Sequence, residues 1–122
     1  MTMKTIISGS RGIRNYEVVI TAVREVLKAN PNLKITEVVS GGAVGVDFYG
    51  EQLARFCGIP IKRFPANWEK HHRSAGPIRN NQMAEYADQL IAIWDGKSKG
   101  TQHMIEAMRL KSKPVHIYRD AP

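Results

Sequence analysis

The chain has 122 residues, enough for one domain with its own core and too few for two. Hydrophobic residues make up 43% and charged residues 24%, which excludes wholesale disorder, and a lone cysteine, Cys57, excludes an internal disulfide. Lysine plus arginine total 18 against 11 acids, a net charge of +7 that favours nucleotides, phosphates or nucleic acid as partners without choosing among them.

The longest apolar run, Leu90-Ile91-Ala92-Ile93-Trp94, is far too short to span a membrane. Met1-Thr2-Met3-Lys4 lacks the apolar centre of a secretory signal. With one thiol, this reads as a soluble cytoplasmic protein with no membrane partner.

In chain order, Thr5-Ile6-Ile7-Ser8 is a short β-type run ending at Gly9. From Tyr16 to Ala29 the positions Val18, Val19, Ala22, Val23, Val26 and Leu27 form one apolar helical face, broken by Asn30-Pro31-Asn32. Glu37-Val38-Val39-Ser40 is a second strand. Val46, Tyr49, Leu53 and Cys57 then share a helical face, with Gly58 at the C-cap and Cys57 expected as a small buried hydrophobe. Pro60–Phe64 reads as a weaker strand at an edge, since it carries a proline. Asn67 to Gly76 is polar and irregular, and Pro77 opens a helix running to about Ala87. Gln89–Trp94 is the most apolar strand. Thr101–Lys111 forms a helix with Met104, Ile105 and Met108 inward, and Pro114–Tyr118 closes the chain. The alternation of β and α predicts an α/β fold: a single-domain, Rossmann-like three-layer sandwich with a mostly parallel five-stranded sheet. Ligands of such sheets bind beyond the carboxyl ends of the strands, near the switch in strand order.

Three loops follow strand ends, and all are glycine-rich: Ser8-Gly9-Ser10-Arg11-Gly12, Ser40-Gly41-Gly42-Ala43-Val44-Gly45-Val46-Asp47, and Trp94-Asp95-Gly96-Lys97-Ser98-Lys99-Gly100-Thr101. A glycine after a strand also serves simply to turn the chain. Three such loops converging on one edge, each followed by a helix start with free N–H groups, form cradles for phosphate. Neither Gly-x-x-x-x-Gly-Lys-Ser/Thr nor Gly-x-Gly-x-x-Gly occurs, which counts against P-loop nucleotidases and ordinary dinucleotide oxidoreductases.

The segment Ala66–Met83 reaches the same edge and supplies Lys70, Arg73 and Arg79 as phosphate partners. Trp68 is either a stacking face for a base or an anchor beneath the loop. Arg79 and Asn80 stand near a helix start, where acids are the usual choice. His71, His72, His103 and His116 show no ligand spacing, so no metal site and no cofactor are expected. Nine of the 18 basic residues (Arg11, Arg14, Lys62, Arg63, Lys70, Arg73, Arg79, Lys97 and Lys99) fall in or beside strand-end loops. A nucleotide pocket explains that bias, and so does a track for nucleic acid.

Ile7-Ser8-Gly9-Ser10-Arg11, Val39–Asp47, Ala75-Gly76-Pro77-Ile78-Arg79-Asn80 with Met83, and Trp94–Thr101 occur in an order that resembles the YspA, cpYpsA-related branch of the SLOG superfamily. That superfamily also holds the Smf/DprA DNA-processing proteins and the Lonely-guy phosphoribohydrolases. The resemblance covers nearly the whole chain. It implies a Rossmann-like fold binding nucleotides or their derivatives in bacteria or phages, with self-association as a homodimer or higher oligomer. By resemblance to the Lonely-guy enzymes, Arg79 takes the place of the site arginine, and Gly100-Thr101 that of the Gly-Thr in Gly-Gly-x-Gly-Thr-x-x-Glu. The glutamate of that motif falls on Met104 here, with Glu106 the nearest acid.

The leading expectation is a site for a phosphorylated nucleoside, for sensing, sequestration or processing. Gly9, Ser10 and Arg11 form one wall, and Gly41, Gly42, Ala43 and Gly45 let the chain pass close to the ligand. Gly100 and Thr101 cradle phosphate, with Asp95, Gly96 and Ser98 in the same loop. Arg73, Arg79 and Asn80 add polar contacts and Trp68 a stacking face. An enzymatic alternative cleaves the N-glycosidic bond of a nucleoside monophosphate, with Arg79 holding substrate and Asp47, Asp95 or Glu106 acting on the sugar. A third alternative is single-stranded nucleic-acid binding through the basic loops. The residues leave open whether there is turnover.

Overall fold

In a computed structural model, residues 3–120 are described. Strand β1 (Lys4–Gly9) leads to helix α1 (Tyr16–Ala29), β2 (Glu37–Ser40), α2 (Val46–Cys57) and β3 (Ile61–Arg63). A single turn, α3 (Trp68–His71), and a 3-10 turn (His72–Ser74) lead into α4 (Ala75–Tyr86). Strand β4 (Gln89–Trp94), α5 (Lys99–Leu110) and β5 (Val115–Arg119) complete the chain. All four strand pairings are parallel, in the order β3-β2-β1-β4-β5.

The sheet is buried on both faces because apolar residues run consecutively rather than alternating with polar ones. Ile7, Val38, Ile91 and Ile93 point to the side covered by α1 and α2. Ile6, Val39, Leu90 and Ala92 point to the side covered by α4 and α5. Ile6 pairs in register with Val39 on one side and Leu90 on the other, so each apolar row is continuous across three strands. Truncating a fully buried isoleucine such as Ile91 removes about 2–5 kcal/mol.

Local signals set the helix ends. Asn15 caps α1, its side chain accepting from the Glu17 N–H at 2.9 Å. Gly58 ends α2 in the left-handed conformation at φ 69°. Two expectations need correction. Helix α4 opens at Ala75, before Pro77, and the segment before it is helical over Trp68–Ser74 rather than irregular. Proline is tolerated there because a first-turn N–H has no helical acceptor. Cys57 is exposed: the buried face of α2 is Val46, Asp47, Gly50, Glu51 and Ala54, rotated away from the face the apolar residues suggested. Among the described residues, no helix is long and apolar enough to cross a membrane.

Candidate functional site

From β1 the chain winds outward through β2 to β3, then crosses back to β4 on the other side of β1. The switch point therefore lies between the ends of β1 and β4, where their loops diverge and leave a crevice. Ser10 ties the two loops together. Its N–H donates to Ile93 O at 3.1 Å, and its hydroxyl accepts from the Asp95 N–H at 3.0 Å. The second loop rests on the first: Gly45 has φ 80°, and a Cβ there would lie 2.6 Å from Arg11 O. Gly45 thus brings chain against chain, which differs from its expected role beside a ligand.

Two adjoining hollows open on this rim. The first, of about 370 Å³, is lined by Ser8–Gly12, Ala43, Asp47, Arg79, Asn80, Met83, Asp95, Ser98, Gly100 and Thr101. The second, of about 450 Å³, is lined by Gly41, Gly42, Val44, Arg63, Pro65, Ala66 and Trp68. Arg11, Ala43 and Arg79 line both. Of the residues singled out by sequence, Gly9, Ser10, Arg11, Ala43, Asp47, Arg79, Asn80, Asp95, Ser98, Gly100 and Thr101 meet in the first hollow, and Gly41, Gly42 and Trp68 in the second. Arg73, Gly45, Gly96 and Glu106 line neither. Gly96 backs onto the Arg119 guanidinium, and exposed Glu106 accepts from Gln102. Position 104, where the resemblance puts a glutamate, is a core methionine 1% exposed.

Arg79 is the hub. Its Nη1 donates to Gly41 O at 2.8 Å and its Nε to Asn80 Oδ1 at 3.0 Å. A Cβ on Gly41 would lie 2.5 Å from Nη1, so a side chain at that position would displace the arginine. Asn80 continues the network, its amide donating to Gly100 O at 3.3 Å and lying 3.2 Å from His103 Nδ1. Asn80 thus ties the start of α5 to α4.

Asp47 sits in the first turn of α2, 5% exposed. Burial pushes its carboxyl up to about 6, against the pull of the Ala43 N–H at 3.3 Å and the Arg79 charge. Asp95 differs. Its carboxylate accepts from the N–H groups of Lys97 and Ser98, both at 2.8 Å, and these hold it below the ordinary range. Asp95 therefore shapes the loop into α5, whose first-turn N–H groups have no acceptor among the described residues and can face an anion. Ser98 and Thr101 hydroxyls, 3.2 Å apart, stand beside them.

Sequence reasoning missed Glu51. It lies one turn beyond Asp47, is 3% exposed, and accepts from the Ser40 hydroxyl at 2.6 Å, from Arg55 at 3.3 Å and from Arg63 through both Nε and Nη2. The available signal was an acid at i and i+4 flanking Gly50 and Ala54, the small residues that mark the sheet-facing side.

Residues 3–71 match the family described as YspA, cpYpsA-related SLOG. The Gene 61 protein of Mycobacterium phage D29 is 31% identical over 125 positions that cover 98% of each chain. The chain belongs to the YspA, cpYpsA-related SLOG family.

Proposed function

Starting from that membership, we propose that the protein binds a nucleotide or nucleotide-derived phosphorylated ligand at the C-terminal edge of its sheet, for sensing, sequestration or processing. The observation that carries this reading is the convergence of three glycine-rich strand-end loops and Arg79 on a single hollow at the switch point. The free N–H groups at the start of α5, with the Ser98 and Thr101 hydroxyls, take a phosphate. Arg79 and Arg11 supply charge, and half-exposed Trp68 offers a ring face. Calorimetric titration with nucleoside monophosphates, cyclic nucleotides and ADP-ribose derivatives tests it. Binding is expected, weakened about tenfold or more by Arg79→Ala. No binding by any of these at millimolar concentration removes the proposal. Affinity that rises with strand length and falls steeply with salt would instead favour single-stranded nucleic acid.

A second reading is favoured by Asp47. A carboxyl pushed up to about 6 beside a guanidinium is tuned for acid–base work near neutral pH. Cleavage of a nucleoside monophosphate to base and ribose 5-phosphate needs such a group to activate water or offset the oxocarbenium charge. Asp95 is occupied by its own loop and Glu106 lies outside the hollow, which leaves Asp47 in that role. Free base appearing with time, falling off on the acid side of about pH 6 and abolished in Asp47→Asn with the fold intact, supports turnover. No release from any common monophosphate eliminates it.

A further inference from the structure

The two hollows differ in charge. In the first, two arginines, Arg11 and Arg79, face two carboxylates, Asp47 and Asp95. The second is lined by three arginines, Arg11, Arg63 and Arg79, and by no carboxylate. Arg63 is paired with Glu51 from below and Arg11 and Arg79 are shared with the first hollow, so a monophosphate seated at the start of α5 leaves the second hollow with a cationic lining and no anion inside it.

Arg63 is held in place from below. Glu51, buried in α2, takes Nε and Nη2 of the guanidinium in a two-pronged pair, and the Ser40 hydroxyl fixes the same carboxylate at 2.6 Å. Nη1 is left with no acceptor among the described residues, and the side chain is 55% exposed where it lines the hollow. The aliphatic part lies across Gly42, where a Cβ would come within 3.2 Å of Arg63 Cδ. A flexible surface arginine gains little from a contact because ordering it costs rotamer entropy; one already clamped by a buried acid has lost that freedom in advance. A guanidinium with one edge bound and the other free is suited to a phosphate oxygen pair.

We propose that the second hollow is a second phosphate subsite, so that the ligand is a nucleotide carrying two linked phosphates, a diphosphate or a diphosphate-bridged compound, rather than a monophosphate. The inference rests on the nucleotide-site reading above. One phosphate sits at the start of α5, the next at the Arg11–Arg79 waist facing Arg63, and Trp68 bounds the far side. Glu51 is a positioning residue: it orients Arg63 and does not touch the ligand.

Calorimetric titration of the full chain with matched mono- and diphosphates of adenosine, guanosine, cytidine and uridine tests this. For at least one base the diphosphate is expected to bind about tenfold or more tightly than the monophosphate, as one added charge-assisted pair implies. Arg63→Lys keeps a cation beside Glu51 but leaves no second donor edge. It is expected to bring the pair within about threefold while the monophosphate affinity stays within about twofold. Arg63→Ala, checked for folding by thermal melting, is expected to act in the same way. Equal binding of mono- and diphosphates by the unaltered protein overturns the inference and leaves the nucleotide site standing. So does a diphosphate preference that survives Arg63→Lys, or a loss of both ligands together. Absence of binding by all eight compounds overturns the inference and the site reading with it.

Discussion

Asp47 and Glu51 lie one turn apart on the buried face of α2, at 5% and 3% exposure, yet are driven in opposite directions. Burial dominates at Asp47 and pushes its carboxyl up to about 6. Burial also opposes the charge on Glu51, but Arg63 and Ser40 outweigh it and hold the carboxyl below its ordinary range. Asp47 is the more heavily enclosed by protein, and its weaker donors widen the difference. Glu51 has the Arg63 pair and a hydroxyl at 2.6 Å, whereas Asp47 has only backbone N–H groups, that of Ala43 at 3.3 Å and that of Gly9, and an arginine whose Nε and Nη1 bond elsewhere. Burial alone does not decide whether a carboxyl is charged; the number and aim of its donors are weighed against it. Glu51 is satisfied structure. Asp47 is supplied by weaker donors than its burial calls for, and its carboxyl is pushed up accordingly.

Of the changes to this pair of carboxyls, Asp47→Asn comes first, and its expected effect is a gain. Below pH 4 the carboxyl is protonated in both folded and unfolded chains. Between pH 4 and 6 the folded chain keeps a proton the unfolded chain releases, so stability falls as pH rises, and the loss is complete above pH 6. A rise from 3.8 to about 6 corresponds to about 3 kcal/mol. Asparagine mimics the neutral acid, so the variant is expected to be more stable by about 2–3 kcal/mol at pH 8, with the gap closing by pH 4. Urea unfolding at three pH values reads this directly. A variant less stable than the parent at pH 8 would mean Asp47 is a structural ion like Glu51.

Arg63→Ala tests the other half. It strips Glu51 of its two-pronged partner and is expected to lower stability at pH 7, since a buried carboxylate loses its hydrogen-bonded counter-charge. Glu51 titrates below its ordinary 4.5, so the stability it contributes is present above that value and is lost as pH falls through the lowered one. The penalty of Arg63→Ala should therefore shrink as pH falls below 4.5 and through the lowered titration of Glu51. A penalty that stays constant from pH 7 to pH 3 would show that lost side-chain contact, rather than charge, is responsible.

Ser40→Ala is expected to cost about 1–2 kcal/mol, since the hydroxyl donates to Glu51 and accepts the Gly42 N–H at 3.0 Å. The carboxyl of Glu51 should also titrate higher, which carbon-detected NMR of the labelled side chain measures. An unmoved titration would mean Arg63 alone holds the charge.

The α/β alternation was legible because apolar runs marked the strands, three amphipathic stretches carried a helical period, and Pro77 marked the remaining helix, which has no apolar face of its own. The bounds of α1, β2 and β4 agree with those signals. The meeting of the glycine loops was legible from topology, since parallel strands put every strand-end loop on one edge. Arg79 stood out as a cation near a helix start. The Glu51 clamp was not legible: Ser40 and Arg63 reach it from β2 and β3, and only the parallel register Ser40↔Arg63 sets them side by side. Cys57 misled because the periodicity of Val46, Tyr49, Leu53 and Cys57 ignores the glycine and acids that face the sheet. The turns over Trp68–Ser74 are too short to show any period.

Arg55→Ala carries the smallest expected effect and sharpens the contrast most. Arg55 and Arg63 have the same charge and reach the same oxygen, Glu51 Oε1. Arg55 does so along the helix at 3.3 Å from a side chain 58% exposed, an i,i+4 pair in water. Such pairs contribute about 0.3–0.5 kcal/mol, and salt screens them further. Arg63 reaches across from β3 with two N–H groups. If donor aim decides, removing Arg55 should cost under about 0.5 kcal/mol and leave the Glu51 titration nearly in place, several times less than removing Arg63. Comparable losses from the two variants would mean that Glu51 responds to the total nearby charge, and the distinction between a clamped acid and an under-supplied one would lose its physical basis.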